Sequence, residues 1–175
     1  EQVCREAAQG EVVAPANINS PEQIVISGHA GAVGRAVELA RQRGARRALL
    51  LPVSAPFHCA LMKPAQQRLA ADLQRLEFRD LRFPLVNNLG AQLVRSGEQA
   101  RAGLIGQVSA PVLWEQSLRR LISLGASLFV EVGPGKVLSG LLRQVDSSLA
   151  ALPVQDEASL AAALQALESL KTKGE

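Results

Sequence analysis

Between residues 48 and 76 the chain changes its hydrophobic rhythm once, and this change constrains the fold more than any other feature. Ala48 to Val53 is a nearly continuous apolar run, as in a strand, whereas Met62, Ala65, Leu69, Leu73 and Leu76 recur at helical spacing. The stretch between, Val53-Ser-Ala-Pro-Phe-His-Cys-Ala-Leu-Met-Lys-Pro64, therefore sets His58 at a strand-to-helix corner. Open α/β sheets place their chemistry at such corners. A histidine that merely caps or packs at a helix start would occupy the same position. Position alone leaves both readings open.

Upstream, Glu1 to Gly10 reads as the last turns of a helix closed by glycine. Residues 11–19 and 23–27 are β-branched runs around Ser20-Pro21-Glu22, an antiparallel pair of strands. Val33, Val37 and Ala40 share one face of a helix over 29–43, and residues 45–53 form the next strand. This order fits the last four elements of a ferredoxin-like unit. Downstream, the pattern predicts a helix over 59–77, a strand over 81–87 and a helix around 98–107. A further helix opens at Ser109-Ala-Pro111, with Trp114, Leu118, Leu121 and Ile122 inward. Residues 127–132 read as a buried parallel strand. A helix over 137–145, a short strand over 149–154 and a last helix from Asp156 follow, with Leu160, Leu164, Leu167 and Leu170 inward and a frayed tail at 171–175. Alternation after residue 50 means an α/β layer with a mostly parallel sheet. The expected division lies near Val53, and clefts between domains favour ligands.

Several function classes are disfavoured. The net charge is only +3, and no stretch interleaves Lys and Arg with aromatics, so nucleic-acid binding is not indicated. No apolar run approaches the roughly 20 residues of a membrane span, and none reads as a signal peptide. Cys4 and Cys59 are too few for a disulfide framework or a zinc site, so a reduced, cytoplasmic protein is expected. Met62 is the only methionine, and a helix without a beginning reads as the C-terminal part of a longer protein.

Glu131-Val-Gly-Pro-Gly-Lys-Val-Leu138 has the glycines, lysine and following helix of a phosphate cradle, but not the Walker spacing. It reads instead as a tight strand-to-helix turn. Ser54, Cys59 and Ser139 are candidate nucleophiles for His58, and none has the Gly-x-Ser-x-Gly setting. His29 and His58 do not share metal-ligand spacing with a Cys or carboxylate cluster, so no metal is expected. Asn17 and Asn19 suit either a turn or a cleft wall.

Three stretches in order resemble malonyl-CoA:acyl carrier protein transacylases of fatty acid synthesis and the acyltransferase domains of polyketide synthases. They are Asn17-Ile-Asn-Ser-Pro-Glu-Gln-Ile-Val-Ile-Ser-Gly28, Val53-Ser-Ala-Pro-Phe-His-Cys-Ala-Leu-Met62 and Glu131-Val-Gly-Pro-Gly-Lys-Val-Leu138, with Pro84-Leu-Val-Asn-Asn88 between the last two. The resemblance covers essentially the whole chain and matches the C-terminal part of the family's length. It implies part of an α/β-hydrolase-like parallel-sheet core over 54–175, plus most of a small ferredoxin-like subdomain over 1–53 that lacks its first strand and the start of its first helix.

The resemblance also implies a ping-pong transfer of malonyl from coenzyme A, through a serine ester, to the phosphopantetheine thiol of acyl carrier protein. His58 matches the family's base, and the family orients that imidazole by backbone carbonyls near the position of Gln107; packing at a helix C-terminus is the plainer role for this glutamine. Phe57 matches a bulky aromatic of malonyl-selective members, and Asn17 and Asn19 would line the cleft. No cofactor is implied beyond the coenzyme A thioester and the phosphopantetheine carried by the partner. The elbow serine, the Gly-x-Gly-x-Gln loop and the malonyl-pairing arginine have no match and are expected upstream of Glu1, so these residues alone should be inactive. The alternatives are a polyketide synthase acyltransferase fragment, a non-catalytic acyl-carrier-binding module and an unrelated acyl hydrolase.

Overall fold

The computed structural model describes residues 1–171, and its first element is the expected helix end, α1 (Gln2–Ala8). Gln9 ends it in the left-handed region at φ 45°, and Gly10 follows at φ 88°. β1 (Val13–Ser20) and β2 (Gln23–Gly28) pair antiparallel around Pro21-Glu22, with register shifts at Pro15/Asn17 and Ile18/Ser20. Gly28 is obligatory, because a Cβ there would stand 2.1 Å from the Val12 carbonyl oxygen. α2 (Ala30–Gln42) follows. Its most buried positions are Ala32, Ala36 and Val37, so the packed face is turned by one position from the expected Val33–Val37–Ala40 stripe. Small side chains win that face because α1 packs closely on it, Ala7 being fully buried as well. Cys4, Ala7, Val13, Ala32 and Ala36 form this core. Arg35 closes the end of α1, donating to the carbonyls of Ala7 at 2.9 Å and Ala8 at 3.1 Å while pairing with Glu11 at 2.7 Å.

The strand expected over 45–53 does not form. Among the described residues the segment pairs with no strand, and Leu50 and Val53 are 69% and 62% exposed. An apolar run supplies strand propensity but not a ladder partner. A 3₁₀ turn at Ala60–Met62 then leads into α3 (Lys63–Gln74). The strand expected over 81–87 contracts to β3 (Leu85–Val86), paired antiparallel with β4 (Leu93–Val94). Pro84, lacking an N–H, stands at its start.

α4 (Gly97–Gly106) opens with a capping box: Ser96 Oγ accepts from Gln99 N, and Gln99 Oε1 accepts from Ser96 N. Gly97 admits no side chain, since a Cβ would meet the Phe78 carbonyl oxygen at 2.3 Å. The helix start expected at Ser109-Ala-Pro111 is displaced to α5 (Trp114–Ser123). Val112 bridges to β1 instead: Ile18 N donates to Val112 O at 2.9 Å, Val112 N donates to Ala16 O at 2.8 Å, and Leu113 N turns to Asn88 O at 3.0 Å. Within α5 the expected face holds in part, with Leu118 only 2% exposed.

The chain forms two compact units, Glu1–Arg120 and the described part of Leu121–Glu175. The second is a βαβ unit followed by a helix. β5 (Leu128–Val132) and β6 (Ala150–Val154) pair in parallel, connected through α6 (Val137–Val145), and α7 (Glu157–Lys171) follows. Burial of Leu141 and Leu142 fastens α6, each such side chain contributing about 1.5–3 kcal/mol. β5 is parallel as expected but not buried: Val130 and Val132 are 44% and 81% exposed, since it has one neighbouring strand among the described residues. On α7 it is Ala163 that is buried, one position away from the exposed stripe Leu160, Leu164 and Leu167. The leucines expected inward thus face outward. The Leu170 side chain and the tail after Lys171 lie outside the described residues. No helix among the described residues is long and apolar enough to cross a membrane.

Candidate active site

His58 is held by three local devices. Its backbone lies in the left-handed region at φ 60°, a conformation that histidine tolerates better than most residues. Cys59, only 2% exposed, anchors the corner: its thiol donates to the Pro56 carbonyl at 3.3 Å and accepts from Ser27 Oγ on β2 at 3.8 Å. The imidazole itself is half-buried, and its Nδ1 lies 3.1 Å from the carbonyl oxygen of Gln107. A carbonyl oxygen can only accept, so Nδ1 carries the proton and Nε2 keeps its lone pair. That is the form required of a base working through Nε2.

Gln107 stands at the C-cap of α4, where its own N–H donates to Gly103 O at 3.0 Å. Its backbone carbonyl is the atom that meets His58, and the residue borders a small pocket lined also by Leu85, Val86, Asn88 and Leu104. Phe57 precedes the histidine and is half exposed. Asn17 and Asn19 lie within β1, so neither is a turn former. Asn17 bridges to Val112, in the segment that follows Gln107. Among the described residues no hydrogen bond joins either asparagine side chain to His58 or Gln107.

Each of the three candidate nucleophiles has its own surroundings among the described residues. Cys59 is turned to Pro56, and Ser54 is exposed. Ser139 donates to Glu131 at 2.5 Å. Glu131 also accepts from the N–H groups of Leu138 at 2.9 Å and Ser139 at 2.8 Å, so the chain's own carboxylate fills the N-terminus of α6. The Ser139 hydroxyl first, then these two N–H groups, holds the Glu131 carboxyl below the usual glutamate range. The glycine-rich turn is thus a self-capped helix start, with Gly133 and Gly135 at φ 137° and 93°. Among the described residues no group of three His, Cys, Asp or Glu side chains could hold a metal ion.

Two supporting features escaped the sequence reading. Ser96-Gly-Glu-Gln99 is a legible capping-box signature that fixes the start of α4. His29, which has no metal-ligand spacing, is the N-cap residue of α2, and its Nδ1 accepts from Val12 N at 2.9 Å.

The acyl transferase domain family model matches residues 1–167. The chain is 44% identical over 164 residues to the malonyl CoA-acyl carrier protein transacylase of Escherichia coli strain K12, covering 94% of this chain and 53% of that protein. Among solved structures it is similar to a malonyl-transacylase in complex with a type II PKS acyl-carrier protein, with a TM-score of 0.91 and 44% identity over 94% of this chain and 53% of the other. It also resembles the malonyl CoA-acyl carrier protein transacylase of Clostridium perfringens, with a TM-score of 0.93 and 33% identity over 99% of this chain and 54% of the other. The chain spans about half the length of the curated relatives it matches.

Proposed function

Since the chain belongs to the acyl transferase domain family, we propose that it supplies the base half of a malonyl-CoA:acyl carrier protein transacylase. The observation that carries this reading is the 3.1 Å contact between His58 Nδ1 and the Gln107 carbonyl, which leaves Nε2 free to take a proton. In the first half-reaction Nε2 removes the proton of a serine hydroxyl as its oxygen attacks the malonyl thioester, and the imidazolium returns that proton to the departing coenzyme A thiolate. In the second half-reaction the phosphopantetheine thiol of acyl carrier protein gives its proton to Nε2 and attacks the ester, and the serine recovers a proton as it leaves. Gln107's carbonyl stabilises the imidazolium in both, in the place where Ser-His-Asp triads use a carboxylate. The transfer balances in protons and electrons with no redox cofactor; the thioester and the carrier's own phosphopantetheine are the reacting groups.

In this reading residues 1–53 belong to a ferredoxin-like small subdomain, and residues 54–175 to an α/β-hydrolase-like core. Phe57 crowds a branch at C2 of the acyl group, and Asn17 and Asn19 line the cleft from the small subdomain. The nucleophilic serine stands outside residues 1–175, so these residues alone form no malonyl-enzyme. The complex with a type II PKS carrier among the similar structures favours a second carrier class, a polyketide carrier in place of a fatty acid one.

A chimera joining residues 1–175 to the N-terminal portion of a curated relative tests the proposal. It should move radiolabelled malonyl from coenzyme A to acyl carrier protein, and His58→Ala should slow it by about 10²–10⁴-fold. An unchanged rate removes His58 from the mechanism.

A further inference from the structure

The contact between His58 and Gln107 joins two segments far apart in sequence, and a second contact joins the same two segments. Gln66 lies on α3, the helix that the His58 corner feeds, and Ser109 lies just past Gln107. The Ser109 hydroxyl donates to Gln66 Oε1 at 2.5 Å, and both side chains are partly buried. The two hydrogen bonds and the intervening chain close one small ring, through residues 58–66 on one side and 107–109 on the other. α3 and α4 pack against each other alongside it. Ser109 does not cap α5, because Val112 bridges to β1 and α5 begins only at Trp114; its hydroxyl is turned to Gln66 instead.

We infer that Gln66 and Ser109 are positioning residues for the base, holding the Gln107 carbonyl against Nδ1 so that His58 keeps its lone pair on Nε2. A ring with one closing bond lets the carbonyl swing away from the imidazole, whereas two closing bonds fix both the distance and the angle. Neutral imidazole in water favours the proton on Nε2, the tautomer that cannot act as a base through that atom. Loss of the brace therefore releases His58 toward the wrong tautomer. The inference rests on the reading of His58 as the base only for its catalytic consequence. The positioning itself is a property of the ring nitrogens.

The experiment uses the 175-residue chain labelled with ¹⁵N and reads both histidine rings by long-range ¹H–¹⁵N correlation. Ser109→Ala and Gln66→Leu should each move the neutral His58 ring from the Nδ1–H form toward Nε2–H, by roughly 2–10-fold in the tautomer ratio for one lost hydrogen bond. Ser109→Thr, which keeps the hydroxyl, should restore the wild-type ring signals. His29, on α2, is the internal reference and should not move. His58 signals unchanged in both variants would overturn the inference. So would a shift of both histidines together, since the pair would then support the fold at large. Failure of the proposed function shows elsewhere, as an unchanged transfer rate in the His58→Ala chimera.

Discussion

His58 and His29 hold their ring protons on opposite nitrogens: Nδ1 of His58 faces the Gln107 carbonyl at 3.1 Å, while Nδ1 of His29 accepts the Val12 N–H at 2.9 Å. One chain thus carries its own reference for each tautomer. At a pH where both rings are neutral, ¹⁵N spectra should show His58 as Nδ1–H and His29 as Nε2–H. Matching patterns from the two rings would refute the hydrogen-bond assignment at His58.

The left-handed backbone of His58 carries a conformational cost that a glycine there would not. His58→Gly should unfold at higher denaturant than His58→Ala, by about 0.5–1 kcal/mol, because glycine occupies φ 60° without strain. In the chimera both variants should be equally slow. A glycine variant no more stable than the alanine variant would show that the corner relaxes when the imidazole is lost.

Phe57 sets a second expectation. In the chimera, Phe57→Ala should raise the rate with methylmalonyl-CoA relative to malonyl-CoA by about tenfold or more, the discrimination one methyl group commands against a crowded pocket. If competition assays give the same ratio for both proteins, the aromatic ring does not shape acyl choice.

Glu131 predicts an acid-dependent stability. Its carboxyl is held below the usual range in the folded chain, by the Ser139 hydroxyl and then by the N–H groups of Leu138 and Ser139. The unfolded chain therefore binds the proton more readily, and this stabilisation is full above the ordinary glutamate pKa and is lost as pH falls through the lowered folded value. Glu131→Gln should cost about 0.5–1 kcal/mol at neutral pH, the lower half of the range for a lost helix cap because the group faces solvent. The gap between wild type and variant should close as pH falls through the carboxylate range. A gap that persists in acid would assign the stabilisation to packing.

How much was legible depended on whether the cause was local. The turn at Gly133-Pro-Gly-Lys136, the β1–β2 hairpin and the end of α1 are written in residues that act on their immediate neighbours, and each stands where the sequence puts it. Residues 45–53 carry all the propensity of a strand but pair with none among the described residues, and pairing is not written in one segment. Ser109-Ala-Pro111 has the chemistry of a helix start, yet β1 takes Val112 as a bridge, a competition that local sequence does not show. At the site, the His58 motif was visible. The partnership of the Gln107 carbonyl came only through family resemblance, since a backbone acceptor leaves no mark on side-chain identity.

The bridge between β1 and Val112 also has a consequence in time. The β1–β2 hairpin can close as soon as its own residues are made, but the backbone groups of Ala16 and Ile18 must await a segment synthesised far later. At the usual rate of about 5–20 residues per second, that wait is roughly 5–20 s during which this part of the β1 edge lacks its Val112 partner. Such an edge is a template for pairing with other chains. Asn17, on that strand, is the residue that Val112 finally meets.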